Sequence, residues 1–336
     1  MFYLDNARIV AILAVITVHV SGDFLLVGEV GETSWWLANI IESATRWCVP
    51  VFVMISGALL LDPAKQESSS EFYKKRLRRV GLPLVFWSLF FLSWTAIRLW
   101  YAWGYVDFSL LLDSLLAGSP YYHLWYLYMV IFLYLFTPLL RLVVKQTSRH
   151  TLFFLTLLMF GLAALNTLID TVFATNSDAF FLWFLSFIPY FLAGYLIKTD
   201  ENHYSLALLV VALMGSIILT VLACFVGAYF FALEMGLYFY KYLSVTMIIT
   251  SISVMYLLKK ADFALISKAS DKKMASLVFG VYLVHPFFID IVAELTGTYQ
   301  GTDSIAFILV TIVVVLIMSL LSVLLLSKTP LLNRTV

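Results

Sequence analysis

Charge is scarce in this sequence. Of its 336 residues only 12% are Asp, Glu, Lys or Arg, while 62% are apolar and 17% aromatic. That is about half the charge of a soluble domain, too little to clothe a globular core in hydrated side chains, and a water-soluble enzyme is excluded. The net charge of +1 offers no basic face to nucleic acid or to another acidic macromolecule. Cysteine is nearly absent: Cys48 and Cys224 both fall in apolar runs, so neither a disulfide framework nor a zinc spacing exists, and no metal site is expected. Also missing before the first apolar run are a basic n-region and an A-x-A-like cleavage site, so that run is expected to be retained. No soluble domain, low-complexity tract or internal repeat interrupts the chain, which is expected to form a single transmembrane domain over 1–336.

What is present is apolar length. Ten runs are long enough to cross hydrocarbon, at 4–26, 36–61, 80–103, 123–141, 151–173, 180–197, 204–226, 238–258, 275–293 and 304–327. The fold class expected is all-α, a polytopic membrane protein with about ten transmembrane helices. Ahead of the eighth run Glu234 and Lys241 interrupt an aromatic stretch, which predicts an interfacial turn there; residues 107–117 suit a short amphipathic segment lying on the membrane. Basic residues fill alternate connections: Lys65, Lys74, Lys75, Arg76, Arg78 and Arg79, then Arg141, Lys145, Arg149, Lys198, Lys259, Lys260, Lys268, Lys272 and Lys273. The remaining connections carry Asp23, Glu29, Glu32, Asp107, Asp170, Asp178, Glu234 and Asp303. By the positive-inside rule the basic loops are cytoplasmic, and with ten spans both termini are too.

Against this background the polar residues inside spans stand out, because an ionisable side chain in hydrocarbon is costly unless it faces protein or a water-filled cavity. The first span, LDNARIVAILAVITVHV, carries Asp5, Arg8 and His19. Eleven residues separate Arg8 from His19, which returns them to within ~20° of one face and sets them ~16 Å apart along the axis. The alternative is an interfacial cap at Asp5 and Arg8 and a satisfied core histidine at His19. Arg46, ~15 Å deep in the second span, needs a partner, and Glu42 one turn earlier supplies one by simple pairing. In the following CVPVFVMISGALLL, Pro50 frees a carbonyl and Gly57 permits close helix approach. The cluster FYKKRLRRVGLP serves as a topology determinant or as an anchor to membrane lipid headgroups; alternatively Arg76 and Arg79, one turn apart, suit bidentate recognition of phosphate. His123 and Trp125 are expected at the outer end of the fourth span, and Pro286 is expected to disfavour helix at His285 in VFGVYLVHPFF. His150 and His203 are expected in loops, without a role.

The R-x10-H spacing with its preceding Asp5, VPVFVMISG, KRLRR, HLWYLYMVIFLYLFTPLL, PYFLAGYLI and GVYLVHP, in that order over nearly the whole chain, resemble the acyltransferase-3 family of bacterial integral-membrane O-acyltransferases. The resemblance is to its stand-alone members and implies a bacterial inner-membrane enzyme. Such an enzyme takes acetyl, in some members succinyl, from a cytoplasmic acyl-CoA to a hydroxyl of a surface polysaccharide or its lipid-linked precursor. One departure is the ALLLDP after Ser56-Gly57, where the family often has a bulkier aromatic segment, so acceptor geometry does not carry over. Attack of a hydroxyl on a thioester needs a base of near-neutral pKa, which histidine supplies, and His19 is the residue expected, with Asp5 on its face. Arg8, Arg76 and Arg79 are expected to hold the phosphates of acetyl-CoA, a substrate rather than a resident cofactor. Arg46 or His285 would stabilise the oxyanion, the alternative to direct transfer being a relay through a covalently acetylated histidine, and His123, Trp125 and Tyr282 would line the acceptor path. The rival class is a proton-coupled transporter or exporter of polysaccharide, which also places histidines, arginines and prolines within spans; an enzyme transfers label from acetyl-CoA, a carrier moves glycan without CoA.

Overall fold

The computed structural model of the chain describes residues 2–65, 67–173, 179–264, 267–297, 305–330 and 332–336. Asp178 and Asp303 lie outside the described residues, as does the side chain of Asp23. Among the described residues all regular structure is helical, and ten helical stretches are long and apolar enough to cross a bilayer. In order they are α1 (Phe2–Val27), α2 (Thr33–Thr45) with α3 (Cys48–Leu60), α4 (Ser69–Arg76) with α5 (Leu82–Trp103), then after the short α6 (Phe108–Leu116) come α7 (Trp125–Gln146), α8 (Arg149–Phe173), α9 (Trp183–Lys198), α10 (Leu206–Phe230), α11 (Leu233–Leu237) with α12 (Val245–Lys260), α13 (Lys268–Thr296) and α14 (Ile305–Lys328). Helix α1 is central, packing on α2, α3, α12, α13 and α14. Helices α8, α10 and α14 turn rows of exposed Leu, Ile, Val and Phe outward, the lipid-facing surface a bilayer demands.

The basic loops converge on one end of the bundle. Lys198 pairs with Asp62 at 3.1 Å, Arg149 with Asp200 at 3.1 Å, and Arg141 reaches Glu67 at 3.9 Å and Leu60 O at 2.5 Å. The start of α1 is at the same end, with Tyr3 N donating to Asp262 (2.6 Å) and Asn6 to Phe263 O (2.7 Å). The tightest crossing is that of α3 with α9. A Cβ on Gly57 would lie 1.8 Å from Phe191 O, and one on Gly194 1.9 Å from Met54 O, so the two backbones touch where any larger residue would hold them apart.

Several elements differ from their sequence-based outlines for local reasons. The second span is two helices, because Pro50 has no N–H for Arg46 O and the chain turns at Arg46-Trp47 before α3 begins. The basic cluster is no loop: α4, a π-helical turn over Leu77–Gly81 and α5 form one continuous stretch from Ser69 to Trp103. His150 is likewise not in a loop but in the first turn of α8, its ring edge-on to that of Phe154 at 4.6 Å. Pro286 does not break α13, which runs helical through it to Thr296. Asp107 caps α6, whose Phe108, Leu112 and Leu116 are exposed, as an interfacial helix requires; a break after Tyr238–Tyr240 precedes α12, at the expected turn.

Candidate functional site

Three histidines meet inside the bundle. His19 comes from α1, His285 from α13 and His123 from the segment before α7; the His19 and His285 ring centroids are 5.3 Å apart and those of His123 and His285 5.6 Å. His285 is fully buried, and its Nδ1 lies 2.8 Å from Tyr282 O and 3.2 Å from Val281 O. Both partners are carbonyls, so Nδ1 carries the proton and donates. Tyr282 O is the acceptor that Pro286, lacking an N–H, leaves free in the helix. The imidazole thus repairs the proline gap, and Nε2, buried with no partner among the described residues, keeps a bare lone pair.

His123 stands just before the first residue of its span, α7, but that end is buried in the bundle. The chain drops inward from Gly118, whose φ of +71° and contact with Phe180 admit no side chain, and delivers His123, 1% exposed, beside the other two. Non-helical backbone at that depth must be covered by protein. Tyr282 OH donates to His123 O at 2.5 Å, and Asp290 on α13 accepts from Tyr121 OH and from Trp94 Nε1 (2.7 Å) while pairing with Arg98 at 3.1 Å. Tyr121 stacks on Phe91 at 4.3 Å, and its neighbour Tyr122 lies 4.9 Å from His19.

Adjoining cavities run through the molecule past this trio. At the basic end a cavity of ≈ 170 Å³ is lined by Arg8, Arg76, Arg79, Ser56, Tyr126 and Tyr282 among others. Phe52, Tyr126 and Tyr282 are also walls of the next cavity, ≈ 20 Å³, which holds His19 and His123; that is room for about one water. Trp125 and Tyr242 divide it from an opposite vestibule of ≈ 560 Å³ containing Arg46, Asp170, Trp183 and Lys241. Packed aromatic rings therefore form the pinch between two larger cavities, each of which has charged residues in its walls.

The residues expected from sequence fall into three groups along these cavities. Arg8, Arg76 and Arg79 share the basic-end cavity, with Arg8 tied to Asp5 at 2.9 Å. Asp5 belongs to this end: fourteen residues, or roughly 21 Å of helix, separate it from His19, so it positions Arg8 and cannot orient the imidazole. His19, His123, His285 and Tyr282 form the centre. Arg46 lines the vestibule, its Nε 2.5 Å from the buried Glu42, which also accepts from Ser21 at 2.7 Å, and its guanidinium over the Tyr240 ring at 5.3 Å. Trp125 stands at the boundary. Sequence reasoning missed Phe52, Tyr126 and Tyr242, which close the neck; Phe52 lies within a singled-out motif, but aromatic density this high hides such residues. Among the described residues no group of three or more His, Cys, Asp or Glu is placed to hold a metal ion.

The chain is thus a helical multi-pass membrane protein with a buried histidine cluster next to an arginine-lined cavity at one end. A family model described as an acyltransferase domain matches residues 1–326, and the chain belongs to this acyltransferase-3 family of membrane acyltransferases. No curated protein and no solved structure matches the chain.

Proposed function

We propose that this acyltransferase moves an acetyl group from cytoplasmic acetyl-CoA to a hydroxyl of a surface polysaccharide or its lipid-linked precursor, in the inner membrane of a bacterium, with the basic end facing the cytoplasm. Among stand-alone members the chain resembles the O-acetyltransferase of enterobacterial common antigen in length. The observation that carries the reading is the row of adjoining cavities: cationic at one end, aromatic and polar at the other, with the histidines at the pinch between them. Arg8, Arg76 and Arg79 face the phosphates of CoA, and the acyl-bearing arm extends past Ser56 and Tyr126 towards His19. The acceptor sugar enters the vestibule, where Trp125 and Trp183 offer flat apolar faces to a sugar ring.

In the transfer His19 takes the proton of the acceptor hydroxyl as its oxygen attacks the thioester carbon; the tetrahedral intermediate collapses with loss of the CoA thiolate, which takes that proton back from His19 and leaves it neutral. His285 faces His19 with its tautomer fixed by the carbonyls below, so its Nε2 can only accept a proton or a hydrogen bond. It is therefore a second base rather than an oxyanion donor. Exclusion of water by Phe52, Tyr126, Tyr242 and Tyr282 protects the thioester from hydrolysis. The test is incubation of purified protein with acetyl-labelled acetyl-CoA and a lipid-linked glycan. Label in the glycan is the expected result; CoA-independent movement of glycan across a vesicle membrane without label transfer would make the protein a carrier instead.

A further inference from the structure

Beside the cavity of Arg8, Arg76 and Arg79 lies a second one of ≈ 520 Å³, lined by Arg78, Arg79, Ser276, Phe279, Asn333 and Arg334 among others. Arg79, Ser276 and Phe279 are walls of both. One side is built by the last residues described. Trp87 Nε1 donates to Thr335 O in a buried 2.8 Å bond, and Val336 seats over Gly280, where a Cβ would lie 3.2 Å from Val336 and 2.7 Å from Val323. Arg334 thereby shares one cavity with Arg78 and Arg79 of the π-helical turn. Among the described residues Arg76, Arg78, Arg79 and Arg334 enter no ion pair, and Arg76 Nε is buried without a hydrogen-bond partner. Unpaired guanidiniums gathered round two adjoining cavities repel one another until an anion lies between them, and their planar forks match phosphate oxygens.

The geometry points to a phosphate-binding lobe formed by Arg78, Arg79 and Arg334, which takes the phosphorylated ribose of the acyl donor, while Arg8 and Arg76 meet its diphosphate and their cavity receives the acyl-bearing arm. This rests on the reading of the donor as an acyl-CoA. The wide lobe lies at the surface and the narrow cavity leads to His19, the order in which nucleotide and thioester must sit for the thioester to reach the histidines. An anionic lipid headgroup offers the same phosphate chemistry, so the test separates the two sources.

Calorimetry on the full chain in phosphatidylcholine nanodiscs would compare acetyl-CoA with 3′-dephospho-acetyl-CoA for the wild type, Arg78→Gln, Arg334→Gln and the double variant. The double variant is expected to bind acetyl-CoA about tenfold more weakly, the loss of one or two charge-assisted hydrogen bonds, and to lose the wild-type preference for the 3′-phosphorylated donor. Arg78→Lys and Arg334→Lys, which keep charge without the fork, should fall between. Unchanged acetyl-CoA affinity in the double variant overturns the lobe. So does a defect that shows only as weaker binding of phosphatidylglycerol in mixed discs, which would assign these arginines to lipid. A wild-type protein that binds no acetyl-CoA overturns the donor reading itself, an outcome distinct from a wild type that binds and a double variant that binds equally.

Discussion

Arg46 lines the vestibule paired with Glu42, and the consequence is measurable. Glu42 is fully buried, with one carboxylate oxygen on Arg46 Nε at 2.5 Å and the other on Ser21 Oγ at 2.7 Å. In Arg46→Met the carboxylate keeps only the neutral hydroxyl. Breaking a buried pair by removing one member costs about 3–5 kcal/mol; the Arg46 side chain is 26% exposed to the vestibule, so water can partly replace it, and the lower end, about 3 kcal/mol, applies. At 1.4 kcal/mol per factor of ten the folded-to-unfolded ratio should fall roughly a hundredfold. Adding Glu42→Gln removes the stranded charge while keeping a partner for Ser21, and should restore most of the loss. Thermal denaturation in detergent, followed by size-exclusion fluorescence, reads stability; transfer from labelled acetyl-CoA reads function. The single variant should be unstable and weakly active, and the double variant should recover both. Wild-type stability in Arg46→Met would refute the buried-pair argument, and a stable but inactive double variant would show that the guanidinium acts on substrate.

His19→Ala should lower transfer at least ~10²-fold while the protein still inserts, since the missing base leaves an apolar residue the bilayer tolerates; near-normal transfer would move the base to His285. His285→Gln leaves Tyr282 O with an amide donor but no base, and should cost activity with little stability, whereas His285→Ala should cost both, a contrast read by running the two assays side by side. Gly57→Ala drives a methyl to 1.8 Å from Phe191 O, backbone that cannot step aside, so α3 and α9 must separate and the variant should lose more than the 1–3 kcal/mol usual for overpacking; a denaturation midpoint equal to that of the wild type would mean the helices do not touch there. Cys48 and Cys224 are buried, so thiols placed at Thr167 in the vestibule and Ser276 beside the basic cavity report sidedness: an impermeant maleimide should reach Thr167→Cys in intact cells and Ser276→Cys only after permeabilisation, with CoA protecting the latter, and the reverse pattern would invert the topology.

The composition and run lengths of this chain by themselves determined a ten-span helical bundle, because hydrocarbon leaves the backbone no other way to satisfy its own hydrogen bonds at such length and polarity. Gly57 was legible too, since only glycine lets backbones approach this closely, and so was the shared face of Arg8 and His19, a matter of helical period alone. Tertiary structure decided the rest. That His123 folds inward beside His19 depends on Asp290, Tyr121 and Tyr282, which lie up to 169 positions apart in bonded pairs. That Pro286 leaves α13 straight enough to continue depends on the imidazole next to it filling the vacant acceptor. Arg46 and Asp5 carried the right charge at a plausible depth, yet sequence spacing measures distance only along one helix; which cavity a side chain lines is set by the neighbouring helices, and Trp125 and Tyr242 are walls that Arg46's vestibule shares with the cavity of His19 and His123.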